Sequence, residues 1–330
     1  MARYIIIGAG AVGGTIGGRL FESGHDVVLV ARGAHLEALR DRGLRLLTPD
    51  APGRTLPVPA VAGPGELTAR PDDVLILATK TQHSAAALEP WTGYGHPGLG
   101  SPPIILAQNG VANEPLALRL FPRVYGMCVW TPSAHLEPGV VEAYGAPVSG
   151  ILHLGRYPHG TDEFIGQVAQ DLEKSNFSAP VSDAVMRWKY AKLLSNLVNS
   201  LEALTGPVGS DEARNLVARA RAEGDAVLDA AGIEYARGEE PAAHRQLMRI
   251  EQVIGGAGRP GGSSWQSLAR RSGSVEADYL NGEIVLLGRL HAVPTPVNET
   301  LQRLVNAAAR EGRAPGAMSV AELAALCDAA

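Results

Sequence analysis

The chain has 330 residues, 45% of them hydrophobic and 19% charged, so it is long enough for two domains with their own cores. Its formal net charge of −5 gives a nucleic-acid partner no electrostatic support. Its two cysteines, Cys128 and Cys327, argue against a disulfide framework or a metal cluster and favour a reducing cytoplasm, and no stretch approaches the roughly 20 apolar residues that span a bilayer.

An apolar run and a glycine-rich turn open the chain. Residues 4–7 predict a strand, and the turn after it has the spacing G-x-G-x-x-G. This order is typical of the phosphate-binding turn of a dinucleotide-binding domain, although a plain glycine-rich turn is the alternative. The first glycine allows a sharp turn, the second lets backbone approach a pyrophosphate, and the third lets the next helix pack closely. The predicted phosphate-binding residues are Gly8, Ala9, Gly10, Ala11, Val12 and Gly13.

The second predicted strand, residues 26–30, follows a predicted helix over residues 15–23. A domain that prefers NAD usually ends this strand in an acid that binds the ribose hydroxyls. Here Arg32 stands near the strand end and no carboxylate follows it. Arg32 is either a solvent-facing arginine or the bidentate partner of the 2′-phosphate of NADP(H), and the missing acid favours NADP(H).

Two further predicted strands end in polar side chains. Residues 73–79 lead into Lys80, and residues 104–107 lead into Asn109. Ligands bind at the carboxyl ends of parallel strands, so both side chains are candidates for the site. The alternatives are an exposed lysine and a simple Asn-Gly turn. Short edge strands are predicted at residues 44–47 and 56–61, and further strands at 124–129, 139–144 and 151–154.

After residue 183 the pattern becomes helical, and no further strands are predicted. We therefore divide the chain into a dinucleotide-binding domain, residues 1–180, and a helical substrate and catalytic domain, residues 181–330. The strongest helix covers residues 186–199. Within it Lys192, Asn196 and Asn199 lie at i, i+4 and i+7 and share one face, where a cation and two amides could grip a polar substrate.

The remaining helices are predicted from apolar spacing and from turn residues. Glu276 and Asp278 lie where acids favour the first turn of a helix, which is one explanation for them. The predicted helices cover residues 213–231, 239–253 and 297–310, with further helix starts near residue 263 and over residues 274–282 and a weakly apolar tail.

Together these residues resemble the ketopantoate reductase family, the NADPH-dependent 2-dehydropantoate 2-reductases. The resemblance covers nearly the whole chain. It is carried by the glycine turn, Lys80, Asn109 with Gly110, the helix of Lys192, Ser264, the sequence EADYLNG at residues 276–282 and PTPVN at residues 294–298.

The resemblance implies an α/β Rossmann-type N-terminal domain, an all-α C-terminal domain and an active site in the cleft between them. It implies that Lys192 donates a proton to the substrate carbonyl while NADPH reduces ketopantoate to pantoate, a step of pantothenate and CoA biosynthesis. The implied substrate-binding residues are Asn109, Lys192, Asn196, Asn199 and Ser264; the implied cofactor residues are the glycine turn, Arg32, Lys80, Asn109 and Glu276.

The residue types suit this chemistry, because a lysine ammonium stabilises the negative charge that hydride transfer creates on a carbonyl oxygen. Two positions depart from the family pattern. The second helix asparagine often falls two full turns after the lysine, whereas Asn199 falls at i+7, and a later asparagine is replaced near Gly209. A different 2-keto acid, a 3-hydroxyisobutyrate-type dehydrogenase and a non-catalytic NADP(H) sensor are the alternatives, and a homodimer stays open.

Overall fold

The structure, a computed structural model, describes residues 2–96, 98, 100–240, 242, 246–254 and 257–329. Its contacts divide the chain into two units. Unit 1 comprises Met1–Lys189 and Arg237–Arg259, and unit 2 comprises Tyr190–Ala236 and Pro260–Ala330. The domain boundary at residue 180 stays a prediction. The predicted division has one boundary and does not include the return of the chain to unit 1 after residue 236.

The strands of the described residues all belong to unit 1. They are β1 (Arg3–Ile7), β2 (Asp26–Val30), β3 (Leu44–Thr48), β4 (Ala51–Leu56), β5 (Ala60–Val61), β6 (Asp73–Leu77), β7 (Ile104–Leu106), β8 (Val124–Trp130), β9 (Ser133–Ala134), β10 (Val140–Ala143), β11 (Gly145–Pro147), β12 (Ile151–Arg156), β13 (Met248–Ile250), β14 (Val253–Ile254) and β15 (Ala257–Gly258).

The main sheet has the strand order β12-β8-β7-β6-β1-β2-β5 and is parallel except for β12, which pairs antiparallel with β8. Its central strands are apolar along their length because both faces are covered. On β1, Ile5 and Ile6 point to opposite faces and lie in two separate apolar clusters. This arrangement confirms the predicted α/β domain.

The helices of unit 1 cover the strands. They are α1 (Ala11–Glu22), α2 (Gly33–Arg42), α3 (Ser84–Leu88), α4 (Asn113–Leu118), α5 (Glu163–Lys174) and the first residues of α6 (Val185–Asn196). A second sheet, β4-β3-β10-β9, packs on α1. A Cβ on Gly17 would lie 2.7 Å from Leu29 Cδ2 on β2, and one on Gly14 would lie 2.7 Å from Val141 Cγ2 on β10. The helix thus lies between two sheets that approach it closely because of its glycines.

The helix expected over residues 239–253 is wrong in its later part. Residues 248–250 form β13, which pairs antiparallel with β11, and β14 pairs with β15. The apolar spacing of Leu247, Ile250 and Val253 imitates a helix face, yet all three side chains are exposed. Pairing with β11 therefore overrides the local pattern. The prediction of no strands after residue 183 is wrong for the same reason. Residues 241 and 243–245 of the predicted helix lie outside the described residues.

The regular secondary structure in the described residues of unit 2 is all helical, which confirms the all-α second domain. Its core is built from leucine, valine and alanine, with Leu201, Leu216 and Leu301 almost fully buried. None of the helices in the described part of the chain is both long and apolar enough to cross a bilayer. After α6 the helices are α7 (Val198–Thr205), α8 (Asp211–Ala230), α9 (Ser263–Ala269), α10 (Asn281–Leu290), α11 (Pro296–Arg310) and α12 (Val320–Asp328).

Candidate active site

The glycine turn after β1 is held by a hydrogen bond to β2 and by close packing, and it leaves open space beside Gly10. Gly8 has φ +102°, and its N–H donates to Val30 O at 3.1 Å. A Cβ on Gly13 would lie 2.0 Å from Gly8 O, whereas a Cβ on Gly10 would meet nothing within 4 Å. Gly8 and Gly13 are thus needed for the turn itself, while the space beside Gly10 is left for a ligand.

The start of α1 offers hydrogen-bond donors to that space. Its N-cap residue, Gly10, has no side chain to accept from the free N–H groups, and the first turn of the helix contains no acidic residue. Free N–H groups and the positive end of the helix dipole favour a phosphate. The residues of the turn therefore fit the pyrophosphate of a dinucleotide.

Arg32 lies two residues after the end of β2 and is the N-cap residue of α2. Its side chain is exposed, and no residue in the described ranges forms an ion pair with it. An exposed guanidinium at this strand end can bind a phosphate through two parallel N–H groups. Its position is compatible with a 2′-phosphate on the adenosine ribose.

Lys80 and Asn109 follow neighbouring strands at the edge where the glycine turn lies. The register Ile7↔Leu77 and Leu77↔Leu106 aligns the carboxyl ends of β1, β6 and β7. Lys80 is half-buried, and Asn109 Oδ1 is buried with no hydrogen-bond partner among the described residues. The predicted turn at this point is also present, because Gly110 has φ +75°.

Two further amides belong to this edge and were missed by the sequence reasoning. Gln108 Nε2 donates to Thr79 O and to Ser84 Oγ, each at 2.8 Å, and Asn113 Nδ2 donates to Thr81 Oγ1 at 2.9 Å. Their oxygens, Gln108 Oε1 and Asn113 Oδ1, are buried and receive no hydrogen bond from the described part of the chain. Buried amide oxygens without donors can accept from a ligand. The spacing Q-N-x-x-x-N around the strand end is the signal that could have identified them.

Lys192 is half-buried on α6, which ends four residues later at Asn196. The predicted single helix over residues 186–199 is interrupted at Leu197, and Asn199 lies in the first turn of α7. Asn281 Nδ2 donates to Leu197 O at 3.2 Å, where α6 and α7 meet. Lys192 and Asn196 therefore lie on α6, and Asn199 lies on the next helix, α7.

A second lysine on α6 has different surroundings. Lys189 is 2% exposed and forms an ion pair with Glu114, which is fully buried on α4. The ion pair holds the Lys189 ammonium in place, because burying either charge without its partner would cost free energy of folding. Lys189 is therefore part of the core of unit 1, and Lys192 is the lysine with access to solvent.

Asn196 and Ser264 carry buried polar atoms in unit 2. Asn196 is 4% exposed and Ser264 is 1% exposed. Asn196 Nδ2 and Ser264 Oγ have no hydrogen-bond partner within the residues that the structure describes. Because a buried donor without an acceptor costs about 1–3 kcal/mol, both atoms are suited to oxygens of a bound ligand.

The start of α9, which carries Ser264, is attached to α7. Glu202 Oε2 accepts from Gly262 N–H at 3.0 Å, and Asn199 Nδ2 lies 3.4 Å from Ser263 Oγ. Unit 2 thus brings Asn199 next to the segment of Ser264.

Glu276 lies outside any α-helix. It is 5% exposed and precedes a short 3-10 turn, and α10 begins only at Asn281. The explanation of Glu276 as an acid in the first turn of the predicted helix is therefore wrong. Asp278 accepts from Gln302 Nε2 and Asn306 Nδ2 on α11, so it connects structural elements of unit 2.

Comparison with known proteins identifies the family. The model of the family described as ketopantoate reductase PanE/ApbA matches residues 4–159, and the model of its C-terminal domain matches residues 184–309. The chain belongs to the ketopantoate reductase family. As a ketopantoate reductase family member it is an oxidoreductase with a Rossmann-type domain and a helical domain.

Individual relatives span nearly the whole chain. The 2-dehydropantoate 2-reductase of Pyrococcus horikoshii is 29% identical over 92% of this chain and 97% of its own. A solved PanE/ApbA family ketopantoate reductase from Ralstonia eutropha has a TM-score of 0.76 at 26% identity, covering 94% of this ketopantoate reductase family member and 99% of its own chain. D-mandelate dehydrogenase, solved with NADH and anilino(oxo)acetate, has a TM-score of 0.79 at 24% identity over 94% and 99%, and shares the fold.

Proposed function

We propose that this protein reduces ketopantoate to pantoate with NADPH, as a step of pantothenate and CoA biosynthesis. One observation carries the proposal: Asn196 Nδ2 and Ser264 Oγ are buried donors without acceptors, in the same unit as the half-buried Lys192. A 2-keto acid offers oxygens for both donors and a carbonyl for the lysine. The likeness to 2-dehydropantoate 2-reductases supports ketopantoate as that acid.

The proposed cofactor is NADP(H). The glycine turn and the start of α1 would hold the pyrophosphate, and Arg32 would hold the 2′-phosphate. Lys80, Asn109 and Glu276 are proposed to bind the rest of the cofactor. The absence of an acid between β2 and α2 supports NADP(H) over NAD(H), because the acid is what normally accepts from the free ribose hydroxyls.

Lys192 is the proposed proton donor. The bound nicotinamide supplies the hydride. As negative charge develops on the substrate carbonyl oxygen, the Lys192 ammonium stabilises it and transfers a proton to that oxygen. Ser264 and the amides of Asn196 and Asn199 would hold the carboxylate and hydroxyl groups, and Asn109 is proposed as a further substrate-binding residue.

A steady-state assay with NADPH and a panel of acids tests the proposal. The panel holds ketopantoate, other 2-keto acids with smaller or aromatic side chains, and 3-hydroxyisobutyrate with NADP⁺. We expect ketopantoate to give the highest kcat/KM. A higher value for another 2-keto acid would move the function to that substrate, oxidation of 3-hydroxyisobutyrate would indicate the other dehydrogenase class, and binding of NADPH without turnover would indicate a sensor.

The compartment and the assembly are also proposals. Cys128 and Cys327 are free and buried, which suits a reducing compartment such as the cytoplasm. A homodimer is proposed for the assembly, and light scattering on the purified protein would test it.

A further inference from the structure

His35 connects the glycine turn to a distant loop of unit 1. It lies in the first turn of α2, three residues after Arg32. Its Nε2 is 2.7 Å from Ala9 O, and the N–H of Gly139 donates to its Nδ1 at 2.9 Å. A single imidazole thus bridges two backbone groups that are far apart in sequence.

These two contacts fix the protonation of the ring. A backbone N–H can only donate, so Nδ1 carries the lone pair and the ring proton lies on Nε2. Nε2–H therefore donates to Ala9 O, and His35 is neutral. Burial lowers the pKa of His35 below its ordinary value, while the hydrogen bond to Ala9 O opposes this shift. Neutral imidazole is thus the form present near neutral pH.

The His35 ring also packs against a second histidine ring. His135 packs against it with ring centroids 4.3 Å apart, and His135 Nδ1 lies 2.9 Å from Val140 O. On the other side of the bridge, the N–H of Ala9 donates to Val30 O at 3.2 Å. Ala9, the residue between the first two glycines of the turn, is therefore fixed at both its N–H and its carbonyl.

The carbonyl of Ala9 and the N–H of Gly10 belong to one planar peptide group, and in a trans peptide they point in opposite directions. Holding Ala9 O therefore sets the direction of the Gly10 N–H. Gly10 is the residue whose Cβ position is open to a ligand. We propose that His35 is a positioning residue that orients the Ala9–Gly10 peptide for the pyrophosphate of the cofactor. This inference rests on the proposed binding of NADP(H).

The test compares His35→Leu with His35→Gln. Leucine fills much of the ring volume but has neither donor nor acceptor. Glutamine offers both an N–H donor and a carbonyl acceptor, so it can restore the bridge. His25→Leu is the matched control, because His25 packs on Tyr4 beside the amino end of β2, away from the turn.

We expect His35→Leu to raise the NADPH Kd and KM by about tenfold, the size of one lost orienting contact, with kcat at saturating NADPH nearly unchanged. His35→Gln should recover most of the affinity. Adenosine 2′-monophosphate, which lacks the pyrophosphate, should bind all variants equally. His25→Leu should lower the Tm and leave the NADPH Kd as in the wild type.

An unchanged NADPH Kd in His35→Leu would overturn the inference, as would an equal loss of affinity for adenosine 2′-monophosphate. If the leucine variant does not fold, the glutamine variant decides: it should bind NADPH within a few-fold of the wild type, and a loss as large as tenfold in a folded glutamine variant would overturn the inference. Wild-type protein that binds adenosine 2′-monophosphate but not NADPH would instead contradict the proposed function.

Discussion

Lys192 and Lys189 lie one turn apart on α6, and their ammonium groups have different surroundings. Lys189 is buried against Glu114, whereas Lys192 is half-buried. We predict that Lys192→Ala lowers kcat by about 10²-fold or more, the usual contribution of a positioned proton donor, with little change in NADPH Kd or Tm. Steady-state kinetics and a thermal melt measure both effects.

Lys189→Ala is the matched control for that variant. It leaves Glu114 buried without its partner, so it should lower the free energy of unfolding by about 3–5 kcal/mol. A large loss of kcat in a folded Lys189→Ala protein, together with a near-normal kcat in Lys192→Ala, would show that Lys192 is not the proton donor.

Arg32 determines the choice between the two nicotinamide cofactors in the proposed function. Arg32→Ala should raise the Kd for NADPH by about tenfold or more and change the Kd for NADH much less, because only NADPH carries the 2′-phosphate. Arg40→Ala serves as a control, since Arg40 is exposed on the same helix and pairs with Glu66. Equal losses for both cofactors in Arg32→Ala would refute the phosphate contact.

Gly10 offers a test that separates binding from folding. Its Cβ position is empty of protein atoms, so Gly10→Ala should fold with a Tm near that of the wild type. The added methyl group should weaken NADPH by about tenfold or more, because it occupies the approach of the pyrophosphate. Isothermal titration measures the affinity.

Gly166→Ala is the corresponding control. It also meets no atom within 4 Å, but it lies on α5 and should gain about 1 kcal/mol of helix stability without any effect on NADPH. Unchanged affinity in Gly10→Ala would show that the ligand does not approach the turn there.

At the scale of elements, β1 and β6 are joined at their amino ends by a buried ion pair. Arg3 Nε donates to Asp73 Oδ1 at 2.6 Å, and Tyr94 Oη donates to Asp73 Oδ2 at 2.8 Å. Burial alone would raise the pKa of Asp73, but the hydrogen bonds from Arg3, the Arg70 N–H and Tyr94 outweigh it and lower the pKa. Asp73 therefore stabilises the fold while it is ionised.

This linkage predicts a pH-dependent stability. Because the folded-state pKa lies below the unfolded value of about 3.9, the contribution is complete above that value and is lost as the pH falls through the folded pKa. Asp73→Asn should cost about 3 kcal/mol at pH 7, and the difference from wild type should shrink below about pH 4. Urea unfolding at several pH values measures it. Asp26→Asn, at an exposed pair with Arg70, should cost less than about 1 kcal/mol, and a pH-independent loss in Asp73→Asn would contradict the linkage.

The elements with strong local signals were predictable, and those decided by tertiary contacts were not. The apolar strands β1, β2, β6 and β7 follow from continuous hydrophobic runs. By contrast, β13 forms through pairing with β11, about a hundred residues earlier in the chain, which no local pattern encodes. The terminal helix α12 was missed although Ser319 caps it by accepting from the Glu322 N–H, which is a readable start signal.

The candidate site shows the same division. The glycine spacing and the strand-end positions of Arg32, Lys80 and Asn109 could be read from the sequence, because parallel strands bring their carboxyl ends together. The roles of Lys189 and Glu114 could not, since their pairing depends on how α4 and α6 pack. The contact of Asn281 with Leu197 at the helix break likewise joins residues that are distant in sequence.

At the scale of the whole molecule, membership of one family covers both units of the chain and gives the protein its reaction class. Both family models match, and the chain is an oxidoreductase of the ketopantoate reductase family. The chain after residue 236 returns to unit 1 before it completes unit 2, so the two units are linked more than once. The proposed reaction of this oxidoreductase is the reduction of a 2-keto acid by NADPH.

The most direct measurement is the stoichiometry of that reaction with purified protein, NADPH and ketopantoate. The loss of NADPH absorbance is followed together with the formation of pantoate, for the wild type and for Lys192→Ala. The proposed function predicts saturable turnover that forms one pantoate per NADPH consumed, and a rate lower by about 10²-fold in the variant. Protein that binds NADPH but forms no pantoate, or a variant that turns over at the wild-type rate, would contradict it.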